Sequence, residues 1–84
     1  MTEEQAAQAI LRKVAKRYRL APALIVSPTK RAYVTRARDY AALRMRRDLE
    51  MKYSAIAVAI NRCEESARSA VWRAVDALIA EQEK

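Results

Sequence analysis

Apolar side chains recur at three- and four-residue steps along most of this chain, and that spacing predicts helices almost everywhere. Ala7, Ile10, Leu11, Val14 and Tyr18 form one such stripe, with Arg12, Lys13, Lys16 and Arg17 mostly outside it. Thr2 followed by Gln5 is a capping-box pattern, which satisfies two orphan N–H groups, so a helix is expected from Glu3 to about Arg19. Pro22 suits the first turn of a short helix ending near Val26, and Ser27-Pro28-Thr29 breaks it. Val34, Ala37, Ala41, Met45 and Leu49 keep helical register and predict a long helix from Ala32 to Glu50. Arg36, Arg46 and Arg47 point away from that stripe, whereas Arg38 flanks it and can lay its stem along the core.

Tyr53-Ser54 marks another start, and Ile56, Ala57 and Ile60 supply the buried positions of a two-turn helix ending at Asn61. Asn61 and Glu64 stand at capping-box spacing, so Asn61 is expected both to end one helix and to cap the next. The last helix runs to about Ala80 with Cys63, Ala67, Ala70, Val71, Ala74, Val75 and Leu78 as its buried face. Trp72 lies beside that face and reads as a packing residue at the core edge, as do Tyr18, Tyr33, Tyr40 and Tyr53. Glu81 to Lys84 reads as a frayed end. The expectation is one all-α domain over residues 1–84 with about five helices, and a helix-turn-helix over roughly 53–80.

Composition narrows what such a domain does. A chain of 84 residues holds one small core and no separate catalytic domain. Half the residues are apolar, too many for a disordered basic tail, so the chain should fold. Glycine is absent and only Pro22 and Pro28 break the helix formers. With one cysteine and no histidine, neither an internal disulfide nor an ordinary zinc site can form, and no cofactor or metal is expected. The acidic start Met1-Thr2-Glu3-Glu4 lacks the features of a signal peptide, and nowhere do 18 apolar residues follow one another. A cytoplasmic, nucleoid-associated chain without a membrane segment is the expectation. Catalysis has little foothold: there is no histidine, no glycine loop and no gathered acid pair.

Charge supplies the positive indication. Seventeen Lys and Arg stand against ten Asp and Glu, a net +7, and the basic residues crowd the interval from Lys30 to Lys52. That asymmetry points to a polyanionic partner. In the first turns of the last helix Arg62, Glu65, Ser66, Arg68 and Ser69 lie off the apolar stripe, with Arg73 continuing the exposed side. These residue types reach base edges or phosphates. Glu65 has two readings, complementing the helix dipole or accepting from a cytosine amine, and Glu64 fits the dipole role.

The residues resemble the C-terminal DNA-binding domain of the bacterial replication initiator DnaA, whose fold is related to that of the Trp repressor. The resemblance runs through Val14-Ala15, Tyr18 and Leu20, the basic loop Ser27 to Arg31, the series Val34, Arg36 and Arg38 opening the long helix, Ala41 within it, and Ile56. It covers about Ile10 to Val75. It implies that Lys30 lies in a loop entering the minor groove and that Arg38 contacts DNA from its helix. Where the family carries Arg-Asp-His-Thr-Thr after a glycine turn, this chain has Arg62-Cys63-Glu64-Glu65-Ser66, so only Arg62 and Ser66 carry over and the initiator's own target sequence does not.

The leading expectation is therefore a double-stranded DNA-binding, non-enzymatic module, a transcriptional regulator or accessory replication factor. The helix from Arg62 would enter the major groove, Lys30 and Arg31 would reach backbone or minor groove, Arg36 and Arg38 would hold phosphates, and Arg46 on the basic side would join them on DNA. The alternative is a module that keeps the fold and binds a replication or transcription protein through the Trp72 and Leu78 side. RNA ranks behind duplex DNA, since no aromatic platform for single strands stands out. Monomer and dimer are both open.

Overall fold

Five helices make up the described residues, 1–82, of the computed structural model: α1 (Glu3–Tyr18), α2 (Pro22–Ile25), α3 (Ala32–Leu49), α4 (Tyr53–Ile60) and α5 (Glu64–Gln82). The all-α expectation holds, and no strand occurs among the described residues. The radius of gyration is 11.8 Å, matching the roughly 12 Å of a compact chain this long. None of the helices is long and apolar enough to cross a membrane.

Helix starts and stops follow local chemistry. The Thr2 hydroxyl accepts from the Gln5 N–H at 3.1 Å, and the Gln5 side-chain oxygen accepts from the Thr2 N–H at 3.0 Å, the capping box the sequence predicts. Pro22 occupies the first turn of α2, where a missing N–H costs nothing. Three helices end on a left-handed residue: Arg19 (φ 57°), Glu50 (φ 53°) and Asn61 (φ 58°). Glycine is the residue such positions favour, and this chain has none. Each reversal is closed by the next N–H reaching back, Leu20 to the Ala15 carbonyl at 2.8 Å, Met51 to Met45 at 3.4 Å and Arg62 to Ala57 at 2.8 Å.

The expected stripes converge on one core. Leu11, Val14, Ile25, Met45, Ile56 and Ile60 are its largest fully buried side chains. The buried faces of α3 and α5 are rich in small residues, Ala37, Ala41 and Ala42 in α3 and Ala67, Ala70 and Ala74 in α5. Small facing residues let two helix backbones approach closely, and α3 and α5 form the most extensive helix pair of the fold. That pairing brings Arg73 of α5 within ion-pair reach of Asp39 of α3.

Three expectations about α5 need correction. The turn is three residues long, Asn61 to Cys63, so α5 starts at Glu64 and Asn61 does not cap it. Instead the Asn61 amide donates to the Val26 carbonyl at 3.3 Å, tying the turn to the end of α2. Cys63 consequently precedes α5 and is exposed rather than buried. Trp72, expected at the core edge, is 58% exposed, because one residue past buried Val71 turns the helix by about 100° toward solvent. Glu81 and Gln82 continue α5, and the remainder of the expected frayed end, Glu83 and Lys84, lies outside the described residues.

Candidate nucleic-acid interface

The loop between α2 and α3 is held by one side chain. Arg38 is only 5% exposed. Its Nε donates to the Ile25 carbonyl at 2.7 Å, and its Nη2 to the carbonyls of Ser27 at 2.9 Å and Thr29 at 3.2 Å. A planar guanidinium satisfies three converging carbonyls in a fixed geometry that a flexible ammonium would not. Burial, and after it the neighbouring charge of Arg62, lowers the Arg38 pKa from its usual value. Arg38, expected to meet DNA from the surface of its helix, instead has its stem and most of its head inside the fold, bracing the loop, with Nη1 left without an acceptor among the described residues.

The start of α5 is fastened to the same loop. Arg62 Nη2 donates to the Ser27 carbonyl at 2.7 Å, the carbonyl that Arg38 also uses, and Arg62 Nη1 donates to the Asn61 carbonyl at 2.8 Å. Lys30, Arg38, Arg62 and Arg73 line one open depression of about 670 Å³ together with Pro28 and Thr35. Arg73 reaches Asp39 of α3 with both Nε and Nη2 at 3.0 Å, a bidentate pair that raises its pKa through that hydrogen bonding. Arg31 caps α3 at the end of the loop and is exposed, and Arg36, one helical turn on, is exposed beside Asp39 and Arg73.

A second basic group lies on the other flank of α5. Arg46 and Arg68 each approach the Tyr53 ring, at 4.9 and 5.2 Å from its centroid, within reach of a cation–π attraction. Arg46 Nη1 also donates to the Met51 carbonyl at 2.8 Å. Arg68 lies 3.7 Å from Glu64, one turn back. At about 100° per residue, Arg73 edges one side of α5, where Arg62 of the turn lines the same depression, and Arg68 edges the other, leaving Glu65, Ser69 and Trp72 between them. All three of these are exposed. Ser66 is half-buried, 3.2 Å from the Cys63 sulfur through its hydroxyl.

So the expected site residues fall into two neighbouring groups flanking the outer face of α5, Lys30, Arg38, Arg62 and Arg73 on one side and Arg46 with Arg68 on the other. Three participants were not singled out for this surface in the sequence. Asp39 anchors Arg73 across 34 positions, a pairing no local pattern encodes. Tyr53 reads from the sequence as a packing residue alone. Cys63 had been assigned to the core, yet hydrogen bonds from Ser66, its side chain foremost, lower the thiol pKa from its ordinary value. No group of three or more metal-ligating side chains gathers among the described residues. Comparison with protein-family models, with curated proteins and with solved structures finds no match to this chain.

Proposed function

We propose that this chain binds double-stranded DNA as a helix-turn-helix protein of the DnaA C-terminal, Trp repressor-like type, with the first turns of α5 entering the major groove and the loop before α3 lying on the adjacent backbone or minor groove. The observation that carries this reading is the shared Ser27 carbonyl, which accepts from both Arg38 and Arg62 and so fixes the basic loop to the start of α5. A duplex touching Arg62, Glu65 and Ser69 can then also touch Lys30 and Arg31. Glu65 and Ser69 are residue types that read base edges, and Lys30, Arg31, Arg36, Arg62 and Arg68 hold phosphates. The role is that of a binding module, a transcriptional regulator or accessory replication factor, and not of an enzyme.

Fluorescence anisotropy on labelled duplexes tests it. With Lys30, Arg31, Arg36, Arg62 and Arg68 neutralising about five phosphates, log affinity should fall against log salt with a slope of roughly −4.5. A flat salt dependence, or no binding at low salt, rejects the reading.

One observation favours a second reading. Trp72 and Ile79 of α5 are 58% and 49% exposed, large apolar groups left without cover. A protein-interaction module would use this side, with half-buried Leu78 at its edge. Retention of a replication or transcription protein from nuclease-treated extract, lost in Trp72→Ala, would favour it over DNA.

A further inference from the structure

The depression beside α5 contains a buried positive charge with no counter-ion. Its lining is Pro28, Lys30, Thr35, Arg38, Arg62 and Arg73, four cations and no acid. Arg38 is 95% buried by accessible area, and its Nε and Nη2 donate to carbonyls only. Its Nη1 has no acceptor among the described residues and, since no buried side-chain nitrogen there lacks a partner, it reaches solvent; no carboxylate of those residues lies within ion-pair distance of it. Carbonyl dipoles solvate a guanidinium but do not neutralise it, and a buried ion is comfortable only when paired. The one carboxylate whose charge reaches Arg38 favourably, Asp39, is already held by both nitrogens of Arg73. Arg62 and Arg73 add repulsion rather than relief.

We propose that this depression is a seat for one phosphate group, held by Arg38 from its wall, by Arg62, Arg73 and Lys30 around it, and by the Thr35 hydroxyl. Guanidinium forks match tetrahedral oxyanions in charge and spacing, and four lining cations, of which only Arg73 is paired with an acid, favour a multiply charged oxyanion over a carboxylate. The phosphate has two sources, a backbone phosphodiester or a free polyphosphate. The first rests on the DNA reading above, and the second stands without it.

Titration of the full 15N-labelled chain with inorganic pyrophosphate, against chloride at matched ionic strength, tests the seat by NMR. Saturable shifts are expected at the Arg38 Nε–H and at the amides of Lys30 and Arg62. Loss of one charge-assisted contact weakens binding by about tenfold or more, in Lys30→Gln and in Arg62→Gln alike. Lys30 is exposed, so its variant reports on the seat without disturbing the core. Shifts that do not saturate, or that chloride reproduces, overturn the proposal. Duplex DNA added to the pyrophosphate-loaded sample then separates the sources: displacement means a backbone phosphate takes the seat, and simultaneous binding means a free anion does. Duplex binding without a saturable pyrophosphate site overturns the seat and leaves the DNA reading standing. A saturable site on a chain that ignores duplexes does the reverse.

Discussion

Arg38→Met removes the brace of the basic loop while keeping an apolar stem of similar length. Three carbonyls lose their donor. Ser27 keeps Arg62, and Thr29 is only half-buried, so those two can recover partners. The Ile25 carbonyl belongs to a residue with no exposed surface and is the one left stranded. A stranded buried acceptor costs about 1–3 kcal/mol, and each re-wetted one about 0.5–1 kcal/mol. Against this, the guanidinium no longer has to be desolvated without a counter-ion, which offsets on the order of 1 kcal/mol. The net expectation is destabilisation by about 2 kcal/mol, which in a domain of this size lowers the Tm by roughly 8–16 °C. Far-UV circular dichroism melts of the parent, Arg38→Met and Lys30→Gln measure it. If Arg38→Met stays within about 0.5 kcal/mol of the parent, as exposed Lys30→Gln should, Arg38 is not the brace and the argument for the loop fails.

Other expectations follow from the caps and the thiol. Glu50 is held at φ 53°, and Glu50→Gly removes a left-handed strain of about 1–2 kcal/mol while returning part of it as unfolded-chain entropy, a net gain of about 0.5–1 kcal/mol in urea denaturation. Destabilisation there would contradict the assigned cap. Cys63 is exposed and its thiolate is favoured by hydrogen bonds from Ser66. Its alkylation in the native protein should therefore reach half-maximal rate at lower pH than in the urea-unfolded chain, with Ser66→Ala moving the midpoint up; identical profiles in all three samples would refute the contact.

Much of the architecture was legible because helical periodicity and capping chemistry are local. The α1 stripe, the Thr2–Gln5 box and the ends of α1 through α4 all fall within one residue of what the spacing predicts. Arg38 was placed beside the apolar stripe for the right reason, but its acceptors lie 9 to 13 positions away in a loop, and a sequence pattern cannot distinguish a solvated arginine from one that folds back. Asn61 was read correctly as a helix end. It does not cap the following helix: a left-handed Asn and an N-cap Asn look alike in sequence, and the two further turn residues carry Cys63 out of the core. Trp72 followed the same weakness, since its hydrophobicity says nothing about which side of a register boundary it occupies. The Arg73–Asp39 pair depends wholly on the α3–α5 packing and became visible only with it.

NMR shift mapping of the 15N-labelled chain with a duplex recovered from a random pool tests the central claim most directly. The account predicts that perturbed amides cluster at residues 28–31, at Arg36 and from Arg62 to Arg73, the faces joined through Ser27. Perturbations confined to the depression lined by Glu3, Glu4 and the 83% exposed Val58 would contradict it.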